Sequence, residues 1–469
     1  MSSLIQQYTN IPVVRTEKLA QSGSHRNYFR HFLEDGTTLI EAFNDDVKEN
    51  EAFFTFTRFF LNANIRVPEL LAVSEDQKSY LLSDLGDETL FSYLSRRRKE
   101  TGGELPTDVL DYFRQSLQAL VEIQLCGRKG FDFSVCTPRQ AFDAQSMQWD
   151  LNYFKYFFLK LCYIPFDEQK LEDDFHKLIT YLSDVASDFF MFRDFQSRNI
   201  MLHQNQVYFI DYQGGRKGAL QYDVASLLFQ ARAALSAQQR EELLEYYLDE
   251  LEQHIRVNRD DFKRRYYGFV LIRALQVLGA YGYRGYFERK SHFLESIPPA
   301  VENLRYLLDN NLIAIDFCEL NKVMRAIVER RWTPDETTEG TLTVTVKSFS
   351  YKKGIPTDDS GNGGGFVFDC RALPNPGREP RYRLSTGLDK DVIDYLEKYP
   401  EVADFKQHLF AIVDGSVDNY LERRFTHLSV CCGCTGGQHR SVYFAQSIAD
   451  HIRAKYPQVQ VSLTHTEQM

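Results

Sequence analysis

Phe192-Arg193-Asp194-Phe195-Gln196-Ser197-Arg198-Asn199, followed after one hairpin by Ile210-Asp211-Tyr212, is the stretch on which the reading of this chain turns. An Asp and an Asn stand five residues apart, and the apolar run Val207 to Ile210 delivers a second Asp. Phosphoryl transfer needs this set. One carboxylate must orient the acceptor hydroxyl and accept its proton, while an amide oxygen and a second carboxylate hold the metal ions that bridge the phosphates. Asp194 fits the first role, and Asn199 and Asp211 fit the second. Because D-x4-N alone arises by chance, the flanking sequence has to decide.

Upstream, residues 11 to 85 read as a small sheet carrying one helix. Tyr28 to Phe32 and Thr37 to Phe43 suit strands joined at Glu34-Asp35-Gly36, Glu49 to Leu61 suits a helix, and Val67 to Leu70 and Tyr80 to Leu82 suit two more strands. From Glu88 to about Arg330 the apolar period becomes 3.6, as in Val109 to Leu125, Glu241 to Ile255 and Asp261 to Tyr281. The aromatics of Trp149 to Lys160 read as core, with a wall of the acceptor pocket as the alternative. A sheet lobe, a hinge-like Asp84-Leu85-Gly86 and a helical lobe interrupted by one hairpin predict an α+β, protein-kinase-like bilobal fold. The lobes span 1–86 and 87–330. The polar stretch Trp332 to Gly340 predicts a linker over 331–340, and 341–469 predicts a C-terminal α/β domain with a strand-loop-helix phosphate site.

Composition narrows the function classes. With 43% apolar and 26% charged residues the chain is far from the disordered class, and 469 residues call for more than one core. Lys+Arg total 55 against Asp+Glu 65, and the net charge of −10 excludes nucleic-acid affinity through bulk electrostatics. Eight cysteines, mostly scattered, do not make a disulfide framework. No run of 18 apolar residues and no signal-like N-terminus occur, which predicts a cytoplasmic chain with no membrane partner.

Residues 1–330 resemble the aminoglycoside phosphotransferase and choline kinase group of small-molecule kinases. Three stretches carry the likeness: Ser22-Gly23-Ser24-His25-Arg26-Asn27-Tyr28-Phe29-Arg30; Leu82-Ser83-Asp84-Leu85-Gly86-Asp87; and Phe192 to Asn199 with Ile210 to Gln213 and Tyr222-Asp223-Val224-Ala225-Ser226-Leu227. Within the group the chain resembles the cell-wall-recycling anomeric kinases of N-acetylmuramate and N-acetylglucosamine (AmgK). The resemblance implies ATP and Mg2+ as cofactors and transfer to the anomeric hydroxyl of an amino sugar. It also implies a phosphate loop at Ser22, Gly23, Ser24, His25 and Arg26, adenine contacts from Ser83, Asp84 and Leu85, and a supporting carboxylate at Asp223. Two departures stand out. Phe192 replaces the usual His, and the strand Thr37 to Phe43 lacks the lysine that kinases use on the α- and β-phosphates, for which Lys48 and Arg30 are the substitutes. A catalytically silent, nucleotide-binding adaptor for RNA or protein is the rival reading.

The run Cys434-Thr435-Gly436-Gly437-Gln438-His439-Arg440-Ser441 links a buried strand to a helix. Its glycines let backbone N–H groups turn inward, the helix N-terminus adds its dipole, and Arg440 offers a fork for two phosphate oxygens. The spacing C-x5-R followed by Ser is also that of cysteine-dependent phosphatases, with Asp369 or Asp358 as the acid. Phosphatase, phosphate-ligand sensor and structural glycine turn are the competing readings. Residues 341–469 resemble the C-terminal domain of the RapZ family, adaptor proteins that bind a small RNA and sense an amino-sugar phosphate. Ser348 to Pro356, Phe366 to Pro376, Thr386 to Asp389 and Gly433 to Ser441 carry that likeness. It implies a sugar phosphate on the loop. RNA is disfavoured as a partner, since residues 335–469 hold 15 Lys+Arg against 18 Asp+Glu and no basic tail.

Overall fold

The computed structural model describes residues 3–19, 26–103, 105–288, 290–332, 342–357, 365–423 and 425–468. Two compact units divide the chain, Met1–Thr333 and Pro334–Met469.

In the first unit, β1 (Val13–Lys18), β2 (Asn27–Leu33), β3 (Thr38–Phe43), β4 (Leu70–Val73) and β5 (Ser79–Ser83) form an antiparallel sheet in the order β1-β2-β3-β5-β4. Strand alternation decides what each face covers. Tyr80 and Leu82 turn to the main core, while Leu81 joins Leu33 and Leu39 under Leu4 and Ile5 of the helix Ser3–Tyr8, which the sequence reading did not find. The strand expected at Val67 to Leu70 begins only at Leu70, because Pro68 has no N–H to give a ladder. The helix Val47–Asn62 is capped by Asp46, whose carboxylate accepts from the Glu49 N–H, and it buries Phe53, Phe56 and Phe60. Phe53 stacks on Tyr212 with ring centroids 5.0 Å apart, and the Thr57 hydroxyl lies 2.5 Å from that of Tyr212. The sheet's helix is thereby seated on the segment that carries Asp211.

The rest of the unit is helical, except for two small antiparallel pairs inserted around the catalytic stretch. These pair β6 (Phe189–Met191) with β9 (Arg216–Gly218), and β7 (Ile200–His203) with β8 (Gln206–Phe209). The helices Ala144–Phe154 and Arg259–Gly282 lie against each other closely enough that a Cβ on Gly279 would meet the Phe154 backbone nitrogen at 2.8 Å. That approach sets two site residues, Asp150 and Arg273, on neighbouring elements.

Trp332 was expected in the linker and belongs instead to this core. It is 8% exposed, its ring stacks on Phe158 with centroids 5.1 Å apart, and its indole N–H donates to the Ile327 carbonyl. An aromatic residue next to a polar run reads as linker in sequence, yet its burial closes the last helix onto the lobe. Trp332→Ala should therefore cost about 3–5 kcal/mol, as large aromatic truncations in cores do, and a urea titration followed by circular dichroism reads it. A change below about 0.5 kcal/mol would return Trp332 to the linker.

The second unit carries β10 (Thr343–Ser350), β11 (Gly365–Asp369), β12 (His427–Cys434) and β13 (Gln460–His465) in an all-parallel sheet of order β11-β12-β10-β13. Central β12 is buried from Leu428 to Cys434, as a strand covered on both faces must be. The helices Pro400–Glu422 and Arg440–Lys455 supply covering apolar faces through Val402, Leu409, Val413 and Val417, and through Phe444, Ile448 and Ile452. No described helix in either unit is long and apolar enough to cross a membrane.

Candidate functional site

Two residues of the stretch from Phe192 to Tyr212 are held in a conformation that non-glycine residues do not favour. Arg193 and Asp211 both have positive φ, +79° and +68°, and non-glycine residues keep such a backbone only where the surroundings impose it. For Arg193 the surroundings are explicit. The buried Asp223 carboxylate accepts the N–H groups of Phe192 (2.7 Å) and Arg193 (3.0 Å), and burial pushes its pKa up to about 7 against those two bonds. The Arg193 guanidinium grips Asp150 through both terminal nitrogens (2.9 and 2.7 Å) and also donates to the Tyr222 hydroxyl. Phe192, where a histidine was the expectation, places its ring 5.3 Å from that of Phe195 and 6.3 Å from that of Tyr212. Apolar packing performs the scaffolding there.

On this frame Asp194, Asn199 and Asp211 come together. Asn199 donates its side-chain N–H groups to the Asp194 carbonyl (2.9 Å) and to Asp211 Oδ2 (3.3 Å), which leaves its Oδ1 to face a cation. Gln213 donates to Asp211 Oδ1 (2.7 Å), and Arg273 donates to Asp194 Oδ1 (2.9 Å). The two carboxyls are pushed in opposite directions. At Asp194 burial opposes ionisation, but the guanidinium groups of Arg273, Arg193 and Arg198 outweigh it and hold the carboxyl below its ordinary range. At Asp211 burial and the negative charge of Asp194 raise it. Asp194 is thus a ready anion, and Asp211 is a carboxylate short of positive charge. That is the condition in which a divalent ion is welcome.

The donors Asn199 Oδ1 and Asp211 fit Mg2+ as it sits in nucleotide sites, with one or two protein ligands and the remainder from phosphate and water. Among the described residues no group of three or more His, Cys, Asp or Glu side chains could hold a metal without such help.

Of the two cations expected to stand in for the missing strand lysine, one is committed elsewhere and the other is exposed. Arg30 is committed to the hinge, where it pairs with Asp84 (2.7 Å) and Asp87 (2.8 Å) and donates to the Gly86 carbonyl. Lys48 is exposed on the first turn of its helix. Arg26 is a third cation near the site: 2% exposed and ion-paired to Glu49 at 3.1 Å, it lies close enough to Asp211 to lower that carboxyl's pKa. Ser22, Gly23, Ser24 and His25, the other members of the expected phosphate loop, lie outside the described residues. At the hinge the Ser83 N–H already donates to Glu69, and His203 Nδ1 lies 3.2 Å from the Leu85 carbonyl. The Asp84 carboxylate serves Arg30, so this stretch could offer an adenine ring the Asp84 carbonyl and the Leu85 N–H.

In the second unit the Cys434 to Ser441 loop joins β12 to the helix Arg440–Lys455. Cys434 Sγ lies 3.2 Å from the Ser441 hydroxyl. Burial resists its ionisation, yet the Ser441 hydroxyl, the N–H groups of Ser441 and Gly437, and Arg440 together hold the thiol below its ordinary value. Gly437 has φ +70°, the left-handed turn that aims its N–H inward. Arg440, expected to offer a fork for two phosphate oxygens, donates Nη1 to the carbonyls of Arg371 and Leu373 (2.8 Å each), while its buried Nε is left without a partner. The side chains of Gln438 and His439 contact the carbonyls of Arg383, Ser385 and Tyr382, so they anchor a neighbouring segment. Asp369 is ion-paired to Arg371 and held below its ordinary range, which leaves it no proton to give; Asp358 lies outside the described residues.

Residues 16–257, just over half of the chain, match the model of the phosphotransferase enzyme family. The chain belongs to that family. Residues 342–469 match the model of the RapZ C-terminal domain. Among curated relatives, a nucleotide-binding protein of Psychrobacter sp. (strain PRwf-1) is 33% identical over 179 residues, which is 37% of this chain and 54% of its own length. The RNase adapter protein RapZ of Yersinia pseudotuberculosis is 41% identical over 122 residues, 26% of this chain and 41% of its own. The chain therefore spans about half or less of the length of these relatives. Among solved structures, an amicoumacin kinase in complex with AMP-PNP and Ca2+ is similar at a TM-score of 0.44 and 14% identity, over 67% of this chain and 95% of that one. A choline kinase from Cryptosporidium parvum is similar at 0.45 and 12%, over 66% and 93%.

Arg273 and Asp150 went unread as site residues. For Arg273 a signal was present: it follows Phe269-Val270-Leu271-Ile272 within a largely buried helix, and a lone buried arginine there must have an anion to meet.

Proposed function

We propose that the first unit is an ATP- and Mg2+-dependent kinase that transfers the γ-phosphoryl group to the anomeric hydroxyl of an amino sugar of the N-acetylmuramate or N-acetylglucosamine type, a step of cell-wall recycling. The convergence of Asp194, Asn199 and Asp211, with Asn199 donating to the Asp194 carbonyl and to Asp211 Oδ2, is the observation that carries the phosphoryl-transfer half of the proposal, and the sugar half rests on the resemblance. Asp194 orients the acceptor hydroxyl and takes its proton as the new P–O bond forms and the bond to ADP breaks. Arg273 fixes the carboxylate that does this. Mg2+, when bound by Asn199 and Asp211, neutralises charge on the phosphates. Arg26, held by the Glu49 carboxylate, supplies the fixed cation on the sheet-lobe side. Incubation with ATP, Mg2+ and a panel of N-acetylmuramate, N-acetylglucosamine, glucosamine, choline and kanamycin tests the reading. Turnover of an N-acetylated sugar is expected, and silence on every sugar would sink it.

For the second unit we propose an anion site on the Cys434 to Ser441 loop that takes a sugar phosphate and regulates the kinase unit. The inward N–H groups, the helix N-terminus and the unpartnered Arg440 Nε support it. Titration with glucosamine-6-phosphate should show binding that Arg440→Ala abolishes and Cys434→Ser largely spares. The depressed Cys434 thiol favours one rival, a cysteine-dependent phosphatase. Release of phosphate from p-nitrophenyl phosphate that is lost in Cys434→Ser would establish that rival and overturn the sensor. An RNA-adaptor role would instead show as RNA retention that weakens steeply with salt.

A further inference from the structure

Arg198 immediately precedes Asn199, the residue that joins Asp194 to Asp211, and its backbone is pinned on both sides. The Ser197 N–H donates to Gln230 Oε1 at 2.8 Å, and the Asn199 N–H donates to the Gln196 carbonyl at 2.8 Å, so the one-turn helix Ser197–Asn199 fixes where position 198 stands. The side chain is another matter. It is exposed, and among the described residues it has no hydrogen bond, ion pair or aromatic contact.

The other guanidinium groups around the site are spent. Arg26, Arg193, Arg198 and Arg273 act through their charge on Asp194 or Asp211, and Arg198 acts on both. Arg193 grips Asp150 and also meets Tyr222, Arg273 divides its fork between Asp194 Oδ1 (2.9 Å) and Gln276 Oε1 (2.6 Å), and Arg26 is paired with Glu49. Of these four, Arg198 is the one whose donors are all unspent. A γ-phosphoryl group brought between Asp194 and Asp211 carries its charge on three oxygens, and two carboxylates repel it. Asn199 and Asp211 place a cation on one side of that group. On the side of Asp194 the charge of Arg273 is already taken by the carboxylate, and Arg198 is the described cation still able to answer it.

Resting on the kinase reading above, we infer that Arg198 is a catalytic residue whose guanidinium contacts the transferring phosphoryl group. As phosphorus leaves the bridging oxygen of ADP and bonds to the acceptor oxygen, whose proton passes to Asp194, Arg198 donates hydrogen bonds to the phosphoryl oxygens that carry the charge. A planar fork suits two such oxygens, and a donor aimed at the charge of the transition state accelerates the step more than it tightens substrate binding.

Steady-state kinetics of Arg198→Met and Arg198→Lys on the full chain, with the acceptor that turns over fastest, is the first test. Arg198→Met is expected to lower kcat about 10²-fold, with melting unchanged and with KM for ATP and for the acceptor within a few-fold of wild type. Arg198→Lys should restore only part of the loss, because an ammonium keeps the charge and forfeits the fork. A kcat within about threefold of wild type overturns the proposal, and so does a loss confined to the acceptor KM, which would make Arg198 a ligand of an anionic acceptor. The second test needs no acceptor. The chain is titrated with ADP and Mg2+, with and without aluminium fluoride, which together with ADP mimics the transferring phosphoryl group. Wild type should bind ADP about tenfold or more tightly with the fluoride present, and Arg198→Met should lose that gain while binding ADP alone as before. No gain in the wild type, or an equal gain in the variant, overturns the proposal. The two readings fail apart. Turnover of a sugar that Arg198→Met leaves unimpaired removes Arg198 and keeps the kinase, whereas silence on every acceptor with a gain that depends on Arg198 removes the sugar kinase and keeps Arg198 on the phosphoryl group.

Discussion

Replacing Asp194 with asparagine lowers kcat by about 10³-fold while ATP affinity stays within a few-fold of wild type, since general-base contributions of about 10²–10⁴ disappear with the proton acceptor. Stopped-time assays of product and equilibrium nucleotide binding read the two halves separately. The same variant carries a pH signature that a merely structural residue would not. Asp211 must be ionised to hold a cation, and its pKa is raised by burial and by the charge of Asp194. Activity and Mg2+-dependent nucleotide binding of the wild type therefore fall, on the acid side, through a pKa above the ordinary carboxylate value. In Asp194→Asn one of the two causes is gone, so the acid limb of nucleotide binding moves to lower pH. An unmoved limb would break the electrostatic link between the two carboxyls. A kcat within tenfold of wild type would remove Asp194 from the chemistry.

Substituting Arg26 by methionine produces the second large effect, a loss of about 10²-fold in kcat/KM for ATP, with Lys48→Met nearly silent. The reasoning is positional. Arg26 is a buried guanidinium paired to Glu49 and within electrostatic reach of Asp211, and the proposed kinase needs such a cation in the absence of a strand lysine. Arg26→Lys should recover only part of the loss, because an ammonium keeps the charge and forfeits the planar fork. Because the pair acts as a unit, the Arg26→Met and Glu49→Gln effects should be less than additive in a double-mutant cycle. The reverse pattern, with Lys48→Met damaging and Arg26→Met benign, would hand the role to Lys48.

What could be read from residues alone was whatever the chemistry confines to short spacing. Asp194 and Asn199 share one turn, Asp211 follows one hairpin, and Cys434 to Ser441 occupies one strand-to-helix junction; in each case local backbone geometry brings the groups together. What stayed hidden is carried by long-range packing. Arg273 meets Asp194 from 79 positions away, and Arg193 meets Asp150 from 43. Arg30 illustrates the opposite error. Its place on β2 made it a plausible phosphate ligand, but Asp84 and Asp87 sit across the sheet edge, and a guanidinium flanked by two carboxylates is already committed. Arg440 was legible only in part, because the carbonyls of Arg371 and Leu373 that take its Nη1 lie far outside the motif. Side-chain direction within a motif is settled by neighbours that the motif does not contain.

The central claim, phosphoryl transfer from ATP to the anomeric hydroxyl of an N-acetylated amino sugar, is tested most directly by phosphorus NMR of the products formed from N-acetylglucosamine or N-acetylmuramate, ATP and Mg2+. The account predicts a sugar phosphate whose phosphorus couples to the anomeric proton, formed one for one with ADP and absent in Asp194→Asn. A phosphate on another hydroxyl, or inorganic phosphate as the only product beside ADP, would contradict it.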